Sequence, residues 1–360
     1  MEHYTHDRNW GCRISDEHVF RGLRALVMEN ELIRVTVLLD KGSDIYEFLY
    51  KKTDTDFMWR SPNPLRDPRA FEPTSMRADG SFMDYYHGGW QEIFPGCGAR
   101  YSYKGAEIGQ HGEVSTIPWN CRIATDSPGE IEAVLTVRTY RTPFYIEKKL
   151  RMVSGVAALF ISETVVNEGR EEMDFMWGHH PALGYPFIDE TCRIDVPATK
   201  VEVQAESGVT SRLKPGASFE SFPIIKDKEG RDFDLSAVPS AEAATAEMCY
   251  LMGLREGWFA ATNQGKKIGF GMSWDKKVFP VVWLWEVFGG GFGYPWYGRT
   301  YNLAMEPMTS WPGGMANALA RGTTKKIGPL ESISTSLTAV AYDGVTSVKR
   351  IAPDGKVEGE

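Results

Sequence analysis

Leu32-Ile33-Arg34-Val35-Thr36-Val37-Leu38-Leu39 is dense in β-branched and aliphatic residues, as a pleated strand requires. Lys41-Gly42-Ser43-Asp44 supplies turn chemistry, and Ile45-Tyr46-Glu47-Phe48-Leu49-Tyr50 a return strand. These nineteen residues from Leu32 to Tyr50 predict an opening hairpin, and the same pattern repeats outward from it. Ala133 to Tyr140, Tyr145 to Val153, Ala158 to Asn167 and Asp174 to Trp177 read as an evenly spaced meander. Glu202 to Gln204, Trp258 to Ala261, Ile268 to Trp274, Val281 to Glu286 and Asn302 to Met305 continue it between Gly- and Pro-rich loops. The expectation is an all-β chain. Pro239 to Leu254 has Ala, Glu and Met at helix-friendly density and reads as a short helix, with a strand as the alternative. The tail after Pro353 is charged and is expected to fray.

All-β sandwiches and barrels often exceed 200 residues as one unit, so 360 residues are read as a single domain spanning 1–360, with no repeat or linker dividing it. Hydrophobic residues at 42%, with 11 Trp, 15 Tyr and 18 Phe, are ample for a large core. A net charge of −8 without a Lys/Arg run argues against a nucleic-acid partner. The polar stretch Met1 to Arg13 does not read as a signal peptide, and no apolar run reaches the roughly 20 residues a membrane helix needs. A cytoplasmic protein with no membrane partner is expected. Five scattered cysteines, Cys12, Cys97, Cys121, Cys192 and Cys249, form no CxxC pair and read as free thiols. Oligomeric state is not legible.

Four of the seven histidines fall in Gly- and aromatic-rich stretches: His87 (YYHGGW), His111 (GQHGEVSTIPW) and the pair His179-His180 (WGHHPALGYP). Glycine beside a histidine leaves room for a ligand at the imidazole, and nearby indole and phenol rings offer flat faces to a sugar. Glu306, in NLAMEPMTSWPGG, ends an apolar strand and precedes proline, a setting that withdraws a carboxylate from water and makes it a better base.

Three segments in chain order resemble the aldose 1-epimerase, or galactose mutarotase, superfamily. Gln110-His111-Gly112 with Trp119 resembles its first histidine motif. Val165-Val166-Asn167-Glu168-Gly169 followed by His180-Pro181 resembles its second, and Leu303-Ala304-Met305-Glu306-Pro307 its glutamate strand. Gly88-Gly89-Trp90 to Phe94-Pro95 looks like the hexose-phosphate mutarotase branch, and Asp56-Phe57-Met58-Trp59 like the family's start. Ala182-Leu183-Gly184-Tyr185 after the second histidine departs from the galactose enzymes, so the pattern is closer to a less characterised branch.

The resemblance implies a large antiparallel β-sandwich and a mutarotase acting on a small-molecule carbohydrate without a metal or organic cofactor. It implies Glu306 as the base on the O1 proton, His180 rather than His179 as the acid at O5, and His111 as a hydrogen bonder. A modest shift would keep His180 protonated at neutral pH. Trp90, Trp283, Trp285 and Trp296 are candidates to stack on the sugar; Arg100, His179, Glu286 and Arg299 are candidates to contact it. Two alternatives stand beside this reading. One is a metal-dependent sugar isomerase or epimerase using His111, Glu113, His180 and His87, with His111 and Glu113 alternating onto one strand face. The other is a non-catalytic carbohydrate-binding protein of the same fold.

Overall fold

The computed structural model describes residues 8–70, 81–206 and 208–360. Of the polar stretch Met1 to Arg13, the first seven residues lie outside the described residues. Strands dominate, in two large antiparallel sheets. The larger runs in the spatial order Arg13–Phe20, Leu23–Glu29, Ile33–Leu38, Asp44–Tyr50, Trp90–Ile93, Gly178–Gly184, Tyr301–Met308, Val281–Phe288, Thr245–Met252, Lys200–Val203 and Ser218–Phe219, with Thr55–Asp56 paired to Asp44–Tyr50. The second runs Cys192–Asp195, Trp258–Asn263, Ile268–Trp274, Ser332–Asp343, Ala158–Asn167, Phe144–Val153, Glu130–Arg138 and Asn120–Asp126.

The main core lies between these sheets. Val35 and Phe48 from the larger meet Ile131, Leu150, Ile161 and Phe270 from the smaller, and the Phe48 and Phe270 rings are 5.3 Å apart, edge to face. A second buried cluster sits on the outer face of the larger sheet, where Tyr86, Ile93, Tyr250, Trp283, Trp296 and Met308 pack under the short helices Ser81–Tyr85 and Met315–Arg321. Covering both faces explains why the strands Gly178–Gly184 and Val281–Phe288 are buried almost throughout instead of alternating.

The hairpin over Leu32 to Tyr50 forms as Ile33–Leu38 paired with Asp44–Tyr50, but Arg13–Phe20 and Leu23–Glu29 precede it and Leu23–Glu29 pairs with Ile33–Leu38, so it is the third hairpin of a meander and not the opening one. The helix expected within Pro239 to Leu254 is instead one 3-10 turn, Ala241–Ala243, followed by the strand Thr245–Met252. Cys249 and Leu251 face the main core while Tyr250 faces the outer cluster, and pairing with Val281–Phe288 outweighs local helix propensity. The glutamate strand extends past Met305 to Met308, and Asp174 to Trp177 is reduced to Met173–Phe175. Within the tail, Val357–Gly359 pairs with Val348–Ile351.

Candidate active site

Prolines are ordinarily confined to edge strands because they offer the ladder no N–H. Here Pro181 and Pro307 stand in adjacent central strands. Gly178 pairs with Met308 and Ala182 with Ala304, and this unchanged register sets His180 directly opposite Glu306 within the stretch the prolines interrupt. Directly opposed residues have Cβ atoms about 5 Å apart, and the side chains close that gap: His180 Nε2 lies 3.3 Å from Glu306 Oε1. On the other side of the glutamate strand, Glu306 is opposite Trp283, which is in turn opposite Tyr250.

His111 reaches the same place from a turn. Its backbone is left-handed, at φ 61°, and Gly112 follows at φ 82°; a Cβ there would lie 2.2 Å from the Phe94 carbonyl oxygen. The His111 amide donates to the Gly98 carbonyl at 3.0 Å, and the Gly98 amide donates to His111 Nδ1 at 3.2 Å. Accepting at Nδ1 leaves the proton of the neutral imidazole on Nε2. The His111 ring sits edge-on to His180, with centroids 5.7 Å apart. Tyr86 completes the group, its hydroxyl oxygen 3.4 Å from His180 Nδ1.

These groups form one end of a cavity of about 750 Å³, lined also by Phe82, Trp285, Trp296, Gln204, Asn317 and Arg321. Burial dominates its electrostatics. It pushes His180 down to about 4, and pushes His111 down to about 3 with help from the neighbouring His180 charge. It holds the Glu306 carboxyl well above the usual carboxylate range. The expected protonated His180 is therefore corrected: desolvation disfavours its cation, and the pair rests uncharged with a single proton to exchange. Glu306 Oε2 is buried with no hydrogen-bond partner in the protein, a state normally costly enough to be avoided.

Of the expected sugar contacts, Trp283, Trp285 and Trp296 line the cavity. Trp90, His179, Glu286, Arg100 and Arg299 do not. Trp90 and His179 belong to the opposite face: the Trp90 indole donates to His179 Nδ1 at 3.2 Å, and His179 Nε2 meets Glu163 at 3.0 Å. They sit beside a buried Lys148–Glu92 pair at 2.9 Å, to which Trp177 also donates. Glu286 is one residue out of phase with the two tryptophans and faces Arg212 and Glu247. Arg100 lines a separate shallow depression with Glu107 and Arg141, and Arg299 folds onto the Trp296 carbonyl at 3.4 Å.

The alternative metal set does not converge. His111 and Glu113 are in a turn, and Glu113 instead accepts the amides of Tyr140 and Arg141 and the Thr142 hydroxyl. His87 is buried against Tyr46, near Asp44. Among the described residues there is no group of three or more His, Cys, Asp or Glu placed to hold a metal ion. Tyr86, Tyr250, Gln204, Asn317 and Arg321 escaped sequence reasoning. Tyr86 directly precedes a flagged histidine; cross-strand register places Tyr250, and tertiary packing brings in Gln204 from beyond a strand end and Asn317 and Arg321 from the helix Met315–Arg321.

The two large packed sheets have the galactose mutarotase-like β-sandwich fold. A proposed aldose 1-epimerase from Klebsiella pneumoniae superposes with a TM-score of 0.70 at 16% identity, covering 92% of this chain and 83% of that one. A galactose mutarotase-like protein from Clostridium acetobutylicum gives 0.62 at 16%, covering 93% and 99%. A galactose mutarotase related enzyme from Lactobacillus acidophilus gives 0.57 at 18%, covering 89% and 97%. Such identities establish the fold alone. No curated protein matches the sequence. Residues 20–340 match the family described as a domain of unknown function, DUF4432, and the chain belongs to that family.

Proposed function

We propose that the protein is a mutarotase that interconverts the α and β anomers of a sugar at His180, Glu306 and His111. The observation that carries this reading is the directly opposed His180–Glu306 pair, 3.3 Å apart in an aromatic cavity, with one glutamate oxygen buried and unpartnered. Mutarotation moves one proton from the anomeric hydroxyl to the ring oxygen, and a pair holding one mobile proton can accept the first while delivering the second. With that proton on His180 Nε2, the Glu306 carboxylate takes the O1 proton as His180 protonates O5. The C1–O5 bond breaks to give the open-chain aldehyde, and the pair is left uncharged, the form that burial favours. Rotation about C1–C2 presents the other carbonyl face. Closure returns the proton from Glu306 to O1 and the O5 proton to His180. His111, carrying its proton on Nε2, donates to the oxygen on which charge develops.

Trp285, whose ring is 5.5 Å from that of His180, offers the sugar a flat apolar face. The reading includes a small-molecule carbohydrate ligand and a cytoplasmic setting, which five free cysteines suit. Among the described residues no helix is long and apolar enough to cross a membrane. The test is anomer exchange of freshly dissolved aldoses, followed by polarimetry or NMR. Glu306→Gln and His180→Asn should each lower the rate by roughly 10²- to 10⁴-fold. Sugar binding without accelerated exchange would instead establish a non-catalytic binding protein.

A further inference from the structure

The cavity continues well beyond the reacting pair. Its floor is a row of directly opposed residues on four successive strands: His180, Glu306, Trp283 and Tyr250. Three inter-strand spacings of about 4.8 Å set Tyr250 roughly 14 Å from His180 along that row. One pyranose placed with its anomeric carbon at His180 and Glu306 covers the near half and ends over the Trp283 and Trp285 faces. The volume of about 750 Å³ also lies in the upper part of the roughly 300–1,000 Å³ range of sites that enclose drug-sized ligands.

The far half has a lining of its own. Gln204, Tyr250, Asn317 and Arg321 stand there beside the Trp283 face. The Tyr250 hydroxyl accepts the Gly313 amide at 2.8 Å and donates to Gln204 Oε1 at 3.3 Å; Asn317 donates to the Gly313 carbonyl at 2.9 Å. This ties the loop after the glutamate strand into one polar wall. Arg321 is the only Lys or Arg among the described lining residues, and its guanidinium is engaged by Glu202, with Nη2 and Oε2 at 2.7 Å. Glu206, also in the lining, adds negative charge. An aromatic floor with amide and phenol groups along one wall suits a neutral, hydroxyl-rich ring, and the absence of an unengaged cation disfavours a phosphate.

We propose that the cleft takes the reducing end of a neutral oligosaccharide, with the anomeric carbon at His180 and Glu306 and the next sugar ring over Trp283 and Tyr250, against Gln204 and Asn317. The assignment rests on the mutarotase reading of the same site. It is tested with matched pairs that share a reducing unit: glucose against maltose and cellobiose, and galactose against a galactose-terminated disaccharide. Anomer exchange is read by NMR and binding by tryptophan fluorescence titration.

At least one disaccharide should show a kcat/KM and an affinity about tenfold above its monosaccharide. Gln204→Ala and Asn317→Ala should each shrink that ratio, which is taken within one preparation so that loss of folded protein cancels. If every disaccharide is exchanged and bound no better than its monosaccharide, the oligosaccharide assignment falls and the mutarotase reading stands. If no sugar is exchanged faster than in buffer, the mutarotase reading falls. The titrations then decide the cleft: tighter disaccharide binding supports the assignment, and equal or absent binding overturns it.

Discussion

Acidification should weaken this fold through His180, and the size of the effect follows from its burial. The imidazole takes a proton near 6.5 in the unfolded chain but only near about 4 in the folded protein, where desolvation opposes its charge. Below 6.5 the unfolded state therefore binds more protons than the folded one, so stability is fully present above that pH and is lost as pH falls toward 4. The whole shift corresponds to about 3 kcal/mol, of which about 2 kcal/mol is gone by pH 5. Glu306 works in the opposite sense: its raised carboxyl removes stability as pH rises above its ordinary value of 4.5, so the two groups favour an intermediate pH. Urea unfolding of wild type and His180→Asn at pH 7, 6 and 5 isolates the histidine. Wild type should lose about 2 kcal/mol more than the variant between pH 7 and 5. Parallel curves for the two proteins would show that His180 is not held neutral by burial, and the proton accounting above would fall with it.

Tyr86→Phe removes the hydroxyl 3.4 Å from His180 Nδ1 and should lower anomer exchange about tenfold, the worth of one hydrogen bond, with thermal unfolding nearly unchanged. Lys148→Met strands Glu92 between the sheets, where the pair's side chains are only 6% and 1% exposed. It should cost roughly 3–5 kcal/mol in denaturant unfolding. Gly112→Ala puts a Cβ 2.2 Å from the Phe94 oxygen at a positive φ. It should destabilise by more than about 1 kcal/mol and slow exchange by displacing His111, measurable by calorimetry and NMR.

Strand content was legible where two-residue alternation or β-branched runs dominate, as over Leu32 to Tyr50 and Tyr145 to Val153, because those patterns require only a neighbour on either side. Thr245–Met252 was not, since its Ala, Glu and Met favour a helix and only pairing across to Val281–Phe288 makes it a strand. His111, His180 and Glu306, the residues proposed to react, stood out through chemistry and motif order. Their surroundings did not, because facing is set by phase. Trp283 and Trp285 point into the cavity while Glu286, one position on, points away; Trp90 sits beside the site in the sheet but beneath it in space. The distant wall of Gln204, Asn317 and Arg321 comes from segments more than a hundred residues apart, which no local pattern connects.

The adjacent histidines also act as a check on assembly. Slipping the Gly178–Gly184 strand by one residue would turn every side chain to the opposite face, bringing His179 up to Glu306 and driving His180 into the interior. Imidazole against carboxylate would still be matched on the outer side, so the His180–Glu306 pair alone does little to reject the error. Glu163 does more: in the slip that brings His179 to Glu306 it would face Gly178 instead of a histidine, and the Trp90 bond to the His179 ring would be lost as well. The interior His179–Glu163 contact thus favours the register of the strand whose other face carries His180.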